Sequence, residues 1–172
     1  MNRLSYLLIL LLSCPFIAVV LSACDEDEDC SETDRQMMWC GVYTFLNDTS
    51  DKVINDTIPY LTVTAWDTDS IIINKQQGIL QLDLPLRYSV DSTVFVFHYL
   101  VEEDEELIED ARDTLVVKHK NTPYFISMDC GYQMKQEIED VYFRGQLLDS
   151  IDIRRKEANN NGTENIKLFY RP

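Results

Sequence analysis

Thr93-Val94-Phe95-Val96-Phe97-His98-Tyr99-Leu100-Val101 is the stretch on which the fold turns. Phe95, Phe97 and Tyr99 alternate with Val94, Val96 and Leu100, a period of two that belongs to a strand, because successive side chains leave a strand on opposite faces. Apolar residues of β-forming type on both faces predict a strand covered from both sides, at the centre of the core.

Neighbouring segments repeat the pattern with one wet face. Leu80, Leu82, Leu84 and Leu86 alternate with Gln81, Asp83, Pro85 and Arg87. Pro85 has no N–H for a ladder, which predicts an edge strand or a bulge. Leu61, Val63 and Ala65 alternate with Tyr60, Thr62, Thr64 and Trp66. Further strands are predicted over residues 37–45, 70–74, 114–120, 124–128, 133–143, 147–155 and 165–170. The last two flank Asn159-Asn160-Asn161-Gly162, whose Asn-Gly step suits a hairpin turn at positive φ. Residues 103–111 are dense in like charge and predict an exposed turn or a short helix. Short strands at spacings of roughly 8 to 12 residues, without a long helix, predict an all-β fold: an antiparallel β-sandwich of roughly 8 to 10 strands, with a small β-barrel as the alternative.

The amino terminus reads differently. Arg3 precedes an uncharged stretch to Ala23 whose centre is the run from Leu7 to Leu12, the anatomy of a secretory signal. Ser13, Cys14 and Pro15 interrupt the run, which weighs against an uncleaved membrane span of about 18 apolar residues. Leu21-Ser22-Ala23-Cys24 is similar to the lipobox of bacterial lipoproteins, so Cys24 is expected to carry the lipid. This divides the chain into a signal at 1–23, a lipidated cysteine with an acidic tether at 24–36, and one domain at 37–172. Because each buried methylene contributes roughly 0.8 kcal/mol, an anchor of two or three chains is expected to hold permanently.

Residues 1–23 contain one of the 15 basic residues and none of the 30 acidic ones, so the remaining 149 carry a net charge near −16. That balance argues against nucleic acid, whose phosphates need Lys and Arg. It also opposes an anionic membrane surface, so contact with the bilayer is expected through the lipid alone. With Cys14 lost and Cys24 acylated, Cys30, Cys40 and Cys130 remain in an oxidising compartment. The preferred bridge joins Cys30 to Cys130 and leaves Cys40 a buried thiol; a Cys40–Cys130 bridge stays open.

Chemistry has few footholds. His98 and His119 each fall on a predicted strand with no Gly-x-Ser-x-Gly elbow in the chain, so structural roles are expected rather than catalysis. The acidic runs at 25–29 and 102–106 lack the spacing and turn glycine of a calcium loop, and no Cys or His pair has zinc spacing. No catalytic residue, metal site or cofactor is therefore predicted. Trp39, Trp66 and Tyr88 are expected in the core, where large aromatics dominate, with stacking on sugars or peptides as the alternative. Asp56-Thr57-Ile58, Asp69-Ser70-Ile71, Asp91-Ser92-Thr93, Asp113-Thr114-Leu115 and Asp149-Ser150-Ile151 resemble the acceptor of the Bacteroidetes O-glycosylation system. Thr57, Ser70, Ser92, Thr114 and Ser150 are the hydroxyls concerned. Turns that lead into strands produce the same tripeptide.

The segments at residues 67–74, 82–86, 113–117, 119–125, 129–131 and 148–151, with Asp129-Cys130-Gly131 the most recognisable, resemble an uncharacterised family of small Bacteroidetes lipoproteins. In that family an early cysteine accompanies the late Asp-Cys-Gly, which maps onto Cys30 and Cys130. The extra Cys40 departs from the pattern. The resemblance also implies that Asp25-Glu26-Asp27-Glu28-Asp29, directly after the lipid, acts as a surface-export signal, whereas the enterobacterial sorting rule would keep a lipoprotein with Asp25 at the inner membrane. The expectation is a non-enzymatic interaction or accessory protein at the outer membrane, exposed on the cell surface, with an envelope protein as partner. A small glycan- or peptide-binding module is the alternative, and an enzyme comes third.

Overall fold

Phe95 and Phe97 are fully buried on the inner face of their strand, whereas Val94 and His98 on its other face are half-buried, so the expected cover from both sides forms only in part. Burial of a Phe side chain is worth about 1.5 to 3 kcal/mol, so this one strand contributes heavily to the core. The computed structural model describes residues 35–47, 50–68 and 70–171. Its strands are β1 (Met37–Asn47), β2 (Ser50–Asn55), β3 (Ile58–Ala65), β4 (Ile71–Ile79), β5 (Gln81–Pro85), β6 (Ser92–Glu103), β7 (Glu106–Ser127), β8 (Gly131–Arg144), β9 (Leu148–Ile153) and β10 (Ile166–Tyr170). No helix occurs among the described residues.

The strands form two open sheets, one in the order β2-β1-β10-β9 with β5 also paired to β1, the other in the order β4-β3-β6-β7-β8. All pairings are antiparallel except β1 with β10, which is parallel. The molecule is thus an all-β sandwich, and the barrel alternative is not what forms. Met38, Cys40, Val42, Ile166 and Leu168 of the first sheet belong to one buried cluster with Leu61, Val63, Phe95, Phe97, Leu115 and Val117 of the second. Pro85 lies at the end of β5 opposite Met37, a place that needs no further donor.

Several local expectations are corrected. At residues 103–111 the exposed turn forms rather than the short helix, but it is only the tip of two paired strands. Glu103 pairs with Glu106, and Asp104 and Glu105 close a two-residue hairpin with φ of 49° and 67°. The strands expected at 114–120 and 124–128 are one strand, β7. Pro123 is tolerated within it because the pairing with β6 begins at Lys118, which leaves β8 as the partner along this stretch. β2 was not foreseen, since Ser50–Asn55 shows no apolar alternation. The Asn161-Gly162 step does place Gly162 at φ 73°, but inside a long connection between β9 and β10 rather than a tight hairpin. Asn159 shapes that connection: its side-chain oxygen accepts from the N–H groups of Asn161 and Thr163.

Candidate functional site

The registers of β3, β6, β7 and β8 define the outer face of the second sheet, row by row. One row runs Val94, Val116, Tyr142, and the Trp66 N–H donates to the Val94 carbonyl at its end. The next runs Thr64, Val96, Thr114, Arg144. A third holds Thr62, His98 and Arg112. Trp66 is 58% exposed and Tyr142 46% exposed. They border a shallow groove of about 320 Å³ whose lining includes Val94, Thr114, Val116 and Arg144.

Trp66 and Tyr88 therefore do not fill the core, contrary to expectation. Trp66 belongs to the polar register of Tyr60, Thr62 and Thr64, so the alternation of that segment already carried its exposure. Tyr88 is 40% exposed, with the Arg35 guanidinium 4.8 Å from its ring centre. Trp39 is half-buried and donates its indole N–H to the Asn159 carbonyl at 3.0 Å. Tyr142 and Arg144 were missed as surface residues of interest, although both alternate with Val141 and Phe143, which pack against the core.

The face carries cations in an otherwise acidic protein. Lys118 Nζ sits 5.2 Å from the centre of the Tyr142 ring. Arg112 pairs with Glu109 at 2.8 Å, and its hydrogen bonds hold the Glu109 carboxyl below the ordinary carboxylate range. Glu109 also lies 2.9 Å from His98 Nδ1, while His98 Nε2 is 3.0 Å from the Thr64 hydroxyl. Hydroxyl, imidazole and carboxylate thus follow in the order of a hydrolytic triad. Thr64, however, is set within β3, flanked by β4 and β6, where backbone N–H groups are taken up by the ladders rather than gathered for an oxyanion. The arrangement ties β3, β6 and β7 together.

His119 has a comparable chain of contacts inside the protein. Its Nε2 is 2.8 Å from the Thr93 hydroxyl and its Nδ1 is 3.1 Å from Asn121 Oδ1. The Asn121 amide donates to the carbonyls of Arg87, Tyr88 and Val90, which pins the β5–β6 connection. Burial lowers the His119 pKa from its ordinary value. A second, larger cleft of about 690 Å³ lies between β8 and the β9–β10 connection. Its walls are polar, and the Lys135–Glu157 pair, 2.9 Å apart, belongs to them. Among the described residues no group of His, Cys, Asp and Glu is arranged to hold a metal ion.

Thr57, Ser70 and Ser92 are exposed at or just before the starts of β3, β4 and β6, where a turn leads into a strand. Thr114 and Ser150 lie within β7 and β9 and are half-buried, and Thr114 lines the groove beside Trp66. Cys130 is in the β7–β8 turn, and Cys40 is fully buried in β1 and is the free cysteine among the described residues. Burial, then Glu164 and Asp83, pushes the Cys40 thiol up. The Cys40–Cys130 alternative is therefore not realised. The signal and lipobox (Leu21, Ser22, Ala23), Cys24, the acidic run at 25–29 and Cys30 lie outside the described residues.

No curated protein and no solved structure matches the chain. A family model does match over residues 60–170, from β3 to the end of β10 and thus across both sheets, so the chain belongs to the family of unknown function DUF6452.

Proposed function

We propose that this protein is a lipid-anchored, non-enzymatic interaction subunit of the bacterial outer membrane, which meets an envelope protein partner with the outer face of its second sheet. The observation that carries the reading is the exposure of Trp66 and Tyr142 beside Arg144 around one groove. Trp, Tyr and Arg are the residue types that dominate binding hot spots, and exposed apolar side chains gathered in one patch mark interaction surfaces. The anchor rests on Leu21-Ser22-Ala23-Cys24, and surface export on the acidic residues 25–29. The bridge rests on Cys30 and Cys130, with Cys40 removed from contention as a free thiol.

A glycan- or peptide-binding module is the second reading, favoured by the same groove because aromatic faces there adjoin the Thr114 hydroxyl and the Arg144 guanidinium. A photo-crosslinking residue in place of Trp66, in the lipidated protein within its own membrane, tests the first reading. A discrete crosslinked protein, absent when the probe replaces Glu139 of β8, is expected. If no adduct forms and a soluble oligosaccharide or peptide raises Tm in the wild type but not in Trp66→Ala, the second reading replaces the first. If neither occurs, the outer face is not a recognition surface.

A further inference from the structure

The two ends of β7 differ in chemistry. At its start, residues 102–106 are all acidic and form the β6–β7 hairpin. At its far end, roughly 60 to 70 Å of strand away, the β7–β8 tip exposes Met128 (89%), Tyr132 (76%) and Phe125 (50%). Phe125 and Tyr132 pack edge to face with ring centres 5.3 Å apart, a cluster of their own at the tip. Asp129 is the only charged residue from Tyr124 to Met134, in a chain with 26% charged residues.

We propose that the β7–β8 tip seats in the interfacial layer of the bilayer that holds the anchor, a proposal that rests on the lipid-anchor reading and on the Cys30–Cys130 bridge. Tyr132 has the apolar ring and polar hydroxyl that favour the headgroup region, and Phe125 and Met128 offer apolar surface beside it. Cys130 lies within the tip, and a bridge to Cys30 brings the chain back to Cys24 in six residues, at most about 21 Å. The tip is then the part of the domain nearest the lipid. Along β7 the dense charge of residues 102–106 lies at the end away from the tip, so within the strand the apolar end is the one suited to the bilayer, although the bridge also brings the acidic residues 25–29 beside it. The net charge of the whole chain argued for contact through the lipid alone; the separation of charge from apolar surface along β7 adds a protein contact to it.

The experiment uses the mature, lipidated chain in phosphatidylcholine vesicles, with Met128→Trp and Glu103→Trp compared against the wild type. Both positions are exposed, so neither substitution disturbs the core. The added emission of Met128→Trp is expected to shift to the blue and to be quenched several-fold more strongly than that of Glu103→Trp by lipids brominated on their acyl chains. If the chain floats with the vesicles but neither variant is quenched, the tip does not meet the bilayer, while the anchor stands. A blue shift that grows with protein concentration and ignores brominated lipid assigns the tip to a second copy and overturns the proposal. A mature chain with no acyl mass that stays in solution overturns the anchor and the proposal together.

Discussion

Asp113 has no exposure to solvent, yet its carboxylate accepts from the backbone N–H groups of Gln146, Leu147 and Leu148 and from the Tyr99 hydroxyl. It thereby fastens the β8–β9 crossover, where the chain passes from one sheet to the other. Burial, then the neighbouring Asp113 charge, raises the Tyr99 pKa, so the phenol remains a donor. Gly145 makes the approach possible, because a Cβ there would overlap the Asp113 carboxylate. Hydrogen bonds to a charged acceptor contribute about 1.5 to 3 kcal/mol each, and orphaned donors add a penalty. Asp113→Ala is therefore expected to lower stability by at least about 3 kcal/mol in urea unfolding, and a loss below about 1 kcal/mol would refute the clasp. The sequence alone marked Asp113 only as half of a turn-like Asp-Thr step, since its partners lie 14 to 35 residues away. His119 gives a second test. Its folded pKa is below the unfolded value near 6.5, so the unfolded state takes up more protons as pH falls. The stability this contributes is present above about pH 6.5 and is lost as pH falls through the folded pKa. His119→Gln is expected to flatten Tm against pH between about 7 and 5, and an unchanged slope in this variant would exclude His119 as its source.

The β6–β7 hairpin shows how an element can form against local preference. Two-residue turns with both central residues at positive φ favour Asn-Gly, yet this turn is Asp104-Glu105. A Glu in the left-handed region costs roughly 1 kcal/mol, offset here by the long ladders on either side. Asp104→Asn with Glu105→Gly is expected to raise stability by about 1 kcal/mol in urea unfolding, while the same pair of changes at Asp67-Thr68, where only Asp67 has positive φ, gains less. Equal gains at both places would mean that charge removal, not turn geometry, is responsible. The same hairpin explains what the sequence concealed. Period-two alternation located β3, β5, β6 and the later strands because each buries one or both faces. At residues 103–111 it allowed the turn at Asp104-Glu105 but not the strand pairing on either side, because both faces are wet there. It failed at β2, which pairs along one edge of β1 and exposes Val53 and Ile54. The Trp66 face was half legible: alternation put Trp66 on the wet side of β3, but only the registers bring it into one groove with Tyr142 and Arg144, far along the chain.

At the scale of the molecule, β1 lies at the centre of the first sheet, with β2 and β5 along one edge and β10 along the other. Parallel pairing of Cys40 with Ile166 and of Tyr43 with Phe169 joins the start of the domain to its end. Gln36, just before β1, accepts from the Gln136 N–H of β8, six residues beyond Cys130. Six residues also separate Cys30 from Gln36, and the same number of residues of extended chain span similar distances, about 20 Å, so Cys30 has the reach to meet Cys130. Such a bridge closes a loop of about 100 residues, and in the chain-entropy model that limits the unfolded state by about 4 to 5 kcal/mol. Cys40 is different: its thiol is packed in the core, so Cys40→Ala removes only buried contacts, about 1 to 2 kcal/mol. Cys30→Ala and Cys130→Ala are expected to lower the stability of the oxidised protein by similar, large amounts, and the double variant by no more than either one alone. Reductant is expected to bring the wild type down to their level while leaving Cys30→Ala unmoved. If the two single losses add in the double variant, or if a peptide map joins Cys130 to a cysteine other than Cys30, the assignment fails, and with it the short path from the β7–β8 tip to Cys24.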